Sequence, residues 1–140
     1  MEYNFQELKK QVNASVKEHS THQLWDSILY NGSVIIAIVA SAAATFLIDD
    51  TPYIAKILTA LTAIVIAIDR SLNWGGRWIY QRQMRHEYLL ILARISLVEN
   101  IGAGFTEEER KKYFLLIFDD LFALQRRESM IPGSEGIKGK

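Results

Sequence analysis

The sequence lacks cysteine altogether and has only two prolines among its 140 residues. The lack of cysteine excludes disulfides, thiolate metal sites and cysteine nucleophiles. Positive charge is not in excess, because the 16 Lys and Arg residues equal the 16 Asp and Glu residues, and nothing in this balance supports nucleic-acid binding. There is no P-loop, H-E-x-x-H or G-x-S-x-G motif. We therefore expect no enzyme activity, cofactor, metal or nucleic-acid partner.

Charge is also missing from two long apolar runs. Residues 27–48 contain no charged side chain, and residues 52–68 contain only Lys56. As a helix the first run measures roughly 31 Å, which matches a hydrocarbon core of about 30 Å. The polar, mixed-charge segment before it differs from the start of a cleaved signal peptide. The sequence thus predicts an all-α membrane protein with two spans, at about 27–48 and 52–72.

The orientation of these spans is predicted by the charges near their ends. The connection between the spans is short, so the two spans form a helical hairpin with both chain ends on one side. Its only charged residues are Asp49 and Asp50. Basic residues flank the other ends of the spans: Lys9, Lys10, Lys17, Arg70, Arg77, Arg82 and Arg85. By the positive-inside rule, both termini are cytoplasmic in a multi-pass protein of the inner membrane.

Patterning divides the chain into four parts. Residues 1–23 have helical apolar spacing and predict an N-terminal cytoplasmic amphipathic helix, and residues 24–74 hold the hairpin. Residues 75–128 predict cytoplasmic helices that oligomerise, with a break at Gly102 to Gly104 and a capping box at Thr106 and Glu109. Residues 129–140 are polar and glycine-containing, which is typical of a flexible tail.

The last cytoplasmic helix has a wide apolar face. Its residues are Phe114, Ile117, Phe118, Leu121 and Leu124. Two cytoplasmic helices with such faces are too small to bury a core alone, so they need partners. We expect these partners to be copies of the same chain, which predicts a homo-oligomeric ring.

One face of the second span is more polar than membrane anchoring requires. It is formed by Ala55, Thr59, Thr62, Ile66, Asp69 and Asn73, which recur at steps of three and four residues. In a ring this face would line a pore, with Asp69 at the inner mouth and Asp49 and Asp50 at the outer mouth. Alternatively, the threonines bond to their own helix carbonyls and Asp69 pairs with Arg70.

Histidine offers only a weak metal signal. His19 and His22 form an H-x-x-H, but two histidines without further ligands are more often surface or interfacial residues.

The hairpin and the segment Asp69 to Ile95 resemble the SLATT family of bacterial two-helix membrane proteins. Leu72-Asn73, Arg77 and Glu87-Tyr88 match its pattern after the second span, whereas Trp74 replaces the usual Pro and leaves the local break to Gly75-Gly76. The resemblance implies a pore-forming effector of nucleotide-dependent conflict systems. It also implies a separate nucleotide-producing or nucleotide-sensing partner.

Two functions follow from these features. The first is a homo-oligomeric ion channel or effector pore in the lipid bilayer, which conducts cations because acidic residues surround both mouths. The alternative is a membrane-anchored helical scaffold or regulatory subunit without conductance. The subunit number, the gating signal, the preferred cation and the choice between transport and cell killing are not encoded in recognisable motifs.

Overall fold

The computed structural model describes residues 4–130, and all regular structure within this range is helical. Helix α1 spans Phe5–Phe46, α2 spans Pro52–Leu72, α3 spans Trp74–Ile101 and α4 spans Glu107–Ser129. A 3-10 turn, Gly102–Gly104, separates α3 from α4. Residues 131–140, which hold most of the predicted tail, lie outside the described residues.

Two helical stretches are long and apolar enough to cross a membrane. They are Phe5–Phe46 and the consecutive helices of Pro52–Ile101. Their most apolar windows bury few residues inside the chain, and exposed side chains such as Ile38, Val39, Phe46 and Ile57 cover them. This arrangement differs from a core helix of a soluble protein, whose apolar side chains are mostly covered.

The described residues form two compact units. The hairpin unit comprises residues 19–83 and includes the second part of α1, α2 and the start of α3. The connection after Phe46 is a turn in which Thr51 N–H donates to Leu47 carbonyl at 2.9 Å. Pro52 occupies the first turn of α2, where its missing N–H costs nothing. Ala40, Ala44 and Ala55 are buried, because small residues allow two helix backbones to approach closely.

The break between α2 and α3 lies at Asn73, and the prediction of a break at Gly75-Gly76 is wrong. Asn73 has φ 49° and ψ 46°, a left-handed conformation that Asn tolerates better than most residues, and its N–H donates to Asp69 carbonyl. Both glycines lie inside the first turn of α3. A Cβ on Gly76 would stand 2.5 Å from Asn73 Nδ2, so the glycine makes room for the Asn73 amide.

The bundle unit comprises residues 4–18 and 84–130, which contain the start of α1, most of α3 and all of α4. Its core is apolar: Leu8, Val12, Met84, Tyr88, Ile91, Ile95, Ile117, Leu121 and Leu124. Here α1 supplies a third helix. The sequence pattern predicts a separate amphipathic helix at residues 1–23, but α1 continues without a break past residue 24. A third helix gives the apolar faces of α3 and α4 a partner within one chain.

The ends of α4 follow the sequence signals. Thr106 Oγ1 accepts from Glu109 N–H at 3.3 Å while a Glu109 carboxylate oxygen accepts from Thr106 N–H at 2.8 Å, so the capping box is confirmed. These bonds lower the pKa of Glu109, chiefly through the backbone N–H of Thr106.

Candidate pore face and polar clasp

The face predicted to line a pore straddles the border between the packed and exposed sides of α2. The buried or half-buried residues of α2 are Ala55, Leu58, Thr62, Val65 and Asp69. Thr59, Ile66 and Asn73 are exposed next to them. The hairpin unit thus covers part of the predicted stripe, and its exposed edge is available to a neighbour or a pore.

The threonines of this stripe use their hydroxyl protons within α2. Thr59 Oγ1 donates to Ala55 carbonyl and Thr62 Oγ1 donates to Leu58 carbonyl, both at 2.9 Å. In α1, Thr45 Oγ1 likewise donates to Ser41 carbonyl at 3.0 Å. Such bonds back to the preceding turn satisfy a hydroxyl in an apolar environment. The lone pairs of these oxygens stay free to accept from water or to face a cation.

Asp69 differs from the threonines, because its carboxylate is not satisfied by the described part of the chain. One of its oxygens, Oδ1, is shielded and has no hydrogen-bond partner there. The expected alternative, an ion pair with Arg70, does not form, although Arg70 is the next residue and is exposed. Asp49 and Asp50 are exposed in the connection before α2.

A polar clasp joins α1 to the start of α3 within the hairpin unit. We define it by His19, Asp26, Arg77 and Gln81. His19 Nδ1 donates to Gln81 Oε1 at 2.6 Å, and both side chains are 4% exposed. Arg77 pairs with Asp26 at 3.2 Å, where Asp26 is 2% exposed. Nearby, the rings of Tyr30 and Trp78 stack with centroids 6.2 Å apart.

The electrostatics of the clasp are dominated by the burial of Asp26. Burial raises the pKa of the Asp26 carboxyl above its ordinary value, and the attraction of Arg77 and His22 only partly offsets this. The second oxygen, Oδ2, has no partner among residues 4–130. Sequence reasoning missed the clasp, although His19, Asp26, Ser33 and Ala40 recur every seven residues along α1.

The predicted oligomerisation residues of α4 have different environments in the bundle unit. Ile117, Leu121 and Leu124 are buried in its core, and Phe114 packs edge-on against Phe5 with ring centroids 5.2 Å apart. Phe118 is 45% exposed. Most of this predicted face is therefore covered inside one chain, and Phe118 is the one residue of the face that is exposed.

A groove of about 480 Å³ runs between α3 and α4 in the bundle unit. Leu90, Ile91, Ala123 and Leu124 line it, and the ion pairs Glu87–Arg127 and Arg94–Asp120 cross it. Tyr88 Oη donates to Glu128 Oε2 at 2.9 Å near one end of the same helix pair. Within the part of the chain that the structure describes, no three His, Cys, Asp or Glu side chains cluster as metal ligands would.

Comparison with known proteins finds no family model, no curated protein and no solved structure that matches this chain.

Proposed function

We propose that the chain is an integral membrane protein whose copies assemble into a cation-conducting pore lined by the polar edge of α2. Asp69 carries this proposal. A carboxylate oxygen without a partner at the end of an apolar span costs free energy unless water or a cation satisfies it. A water-filled pathway between copies of α2 would supply both.

The apolar surface of the hairpin unit supports the membrane location. Ile35, Ile38 and Val39 in α1 and Ile54, Ile57 and Ile64 in α2 are exposed, and burial in lipid would remove this surface from water. Along the proposed pathway, Thr59 and Asn73 offer polar groups and Ile66 a hydrophobic constriction. The resemblance of residues 69–95 to the SLATT family adds the proposal of an effector role, triggered through a separate nucleotide-producing or nucleotide-sensing protein.

A scaffold without conductance is the second candidate, and the threonine hydroxyls favour it. Because Thr59 and Thr62 donate to their own helix, α2 needs no water at these positions. In this case the hairpin only holds the helices of the bundle unit at the membrane.

Ion flow through purified protein in planar bilayers separates these two functions. In a KCl gradient, the sign of the reversal potential should be that of a cation-selective pore. Asp69→Asn should shift the reversal potential toward zero, because the ring loses one negative charge per subunit. Glu18→Gln, an exposed acid outside the spans, is the control and should leave it unchanged.

The outcomes are distinct for each part of the proposal. A folded oligomer that never conducts supports the scaffold. Conductance with an unchanged reversal potential in Asp69→Asn removes Asp69 from the pathway. Anion selectivity of the unaltered protein contradicts the assignment of the pore face.

A further inference from the structure

Two apolar stripes on the bundle unit are left uncovered by residues 4–130. The α4 stripe consists of Leu115, Phe118 and Phe122, and the α3 stripe consists of Leu90, Leu97 and Ile101. Each of the six side chains is between 45 and 59% exposed. Successive members of each stripe are three, four or seven positions apart, so each stripe lies along one side of its helix.

The two stripes lie on different flanks of the α3–α4 pair. Phe118 and Phe122 each follow a buried residue, Ile117 or Leu121, by one position, which turns them about 100° around α4 in one direction. Asp120 and Ala123 precede the buried residues Leu121 and Leu124 by one position and line the groove. The groove, with Leu90 in it, is therefore on the other flank from the α4 stripe.

The ion pairs across the groove fix the relative level of residues on the two helices. Glu87 is level with Arg127 and Arg94 is level with Asp120. Leu90 is therefore level with Leu124, and Phe122 lies two residues, or about 3 Å, further along the axis. Leu97, three residues beyond Arg94, is level with Ile117 and Phe118.

We propose that the α4 stripe of one copy packs into the groove and α3 stripe of the next copy, in a ring whose axis runs parallel to α4. This inference rests on the proposed homo-oligomer. Rotation about such an axis involves no rise, so residues at the same level face each other across the contact. Phe122 then meets Leu90 and Ala123, and Phe118 meets Leu97.

The charges at the edges of the stripes match in this register. Arg126 is adjacent to Arg127 and therefore level with Glu87, while Asp119 is adjacent to Asp120 and level with Arg94. Across the contact, Arg126 of one copy extends the Glu87–Arg127 pair and Asp119 extends the Arg94–Asp120 pair. Opposite charges in matching positions fix the register of an interface.

The partner is a second copy that uses a different surface from the first. Because the donor and acceptor surfaces lie on separate flanks, the contact is heterologous, and such a contact forms a ring when the rotation between copies divides a full turn. A self-complementary dimer would instead bring two α4 stripes together.

Disulfide cross-linking tests this contact directly, since the chain has no cysteine of its own. In liposomes containing the full chain, oxidation of the double variant Phe122→Cys/Leu90→Cys should give a ladder of covalent oligomers that ends at the ring size. Each single variant should stay monomeric on a denaturing gel. Dimers formed by Phe118→Cys alone would overturn the proposal, because they indicate two α4 stripes in contact.

Acidic substitutions provide an independent test. Phe122→Asp places a charge in the contact but not in the core of one chain, so the helix content should persist while native mass spectrometry in detergent shows smaller species. Leu89→Asp is the matched control, because Leu89 is also exposed but lies about 100° from Leu90 around α3. An unchanged oligomer in Phe122→Asp, or a native protein that is monomeric in lipid, would overturn the interface. A cross-linked ring that does not conduct contradicts the pore alone.

Discussion

At the scale of single residues, Asp26 is a buried carboxylate with incomplete hydrogen bonding. Its carboxylate is almost fully buried, and Arg77 satisfies only one of its two oxygens. Burying a charge costs free energy unless the charge is paired and hydrogen-bonded. Burial of Asp26 therefore lowers the stability of the fold, while its ion pair with Arg77 connects α1 to α3.

The cost of burying the ionised Asp26 carboxylate makes the stability of the fold depend on pH. The pKa of Asp26 is raised in the folded state above its ordinary value of 3.8, so the folded state binds this proton more tightly than the unfolded state. The cost is absent below the ordinary value, grows as the pH rises through the raised pKa and is constant above it. In detergent micelles, the unfolding temperature should fall over this window, whereas Asp26→Asn should lack that part of the fall.

The control for this titration is Asp50→Asn, which changes an exposed carboxylate in the connection. It should keep the full pH dependence of the native protein. If native protein and Asp26→Asn show the same slope between the two pKa values, Asp26 is not the group responsible.

At the scale of elements, the junction of α2 and α3 depends on the left-handed backbone of Asn73. Non-glycine residues other than Asn and Asp pay about 1–2 kcal/mol in this conformation. Asn73→Ala should therefore lower the free energy of unfolding by about 1 kcal/mol relative to Asn73→Gly, because glycine reaches φ 49° without strain. Chemical unfolding in micelles, followed by circular dichroism, measures the difference.

The comparison of Ala with Gly is informative because both variants lose the Asn73 amide. Any effect of the amide near Gly76 is therefore shared, and only the backbone cost differs. Equal stabilities for the two variants would show that the junction changes conformation when Asn73 is replaced.

At the scale of the whole molecule, the two apolar stretches and the charges around them predict how the chain is inserted. The charge pattern predicts cytoplasmic termini, which would place Thr51 on the outer side of the membrane. In intact cells or spheroplasts, a cysteine introduced at Thr51 should react with an impermeant maleimide, whereas one introduced at exposed Asn13 should react only after permeabilisation. Labelling of the Thr51 variant from the cytoplasmic side alone would reverse the orientation.

Several elements of the fold were predictable because local signals specify them. Residues 27–48 and 52–72 are long and almost free of charge, Pro52 marks a helix start, and the spacing of Thr106 and Glu109 specifies a capping box. Each signal acts within a few residues or one helix, so it does not depend on how the chain packs. The resemblance to the SLATT family, the ring and the pore stay predictions.

The sequence by itself determined the helical class, the apolar lengths of the two spans and the cap of α4, since backbone hydrogen bonding and transfer out of water act on local stretches. Only the tertiary structure decided which side chains meet. It paired His19 with Gln81 and Asp26 with Arg77, which are more than 50 residues apart, and buried Ile117, Leu121 and Leu124 inside one chain. It also placed the break at Asn73, whose backbone is left-handed, and filled the space over Gly76 with the Asn73 amide. Such contacts depend on the relative rotation of neighbouring helices, which helical periodicity does not specify.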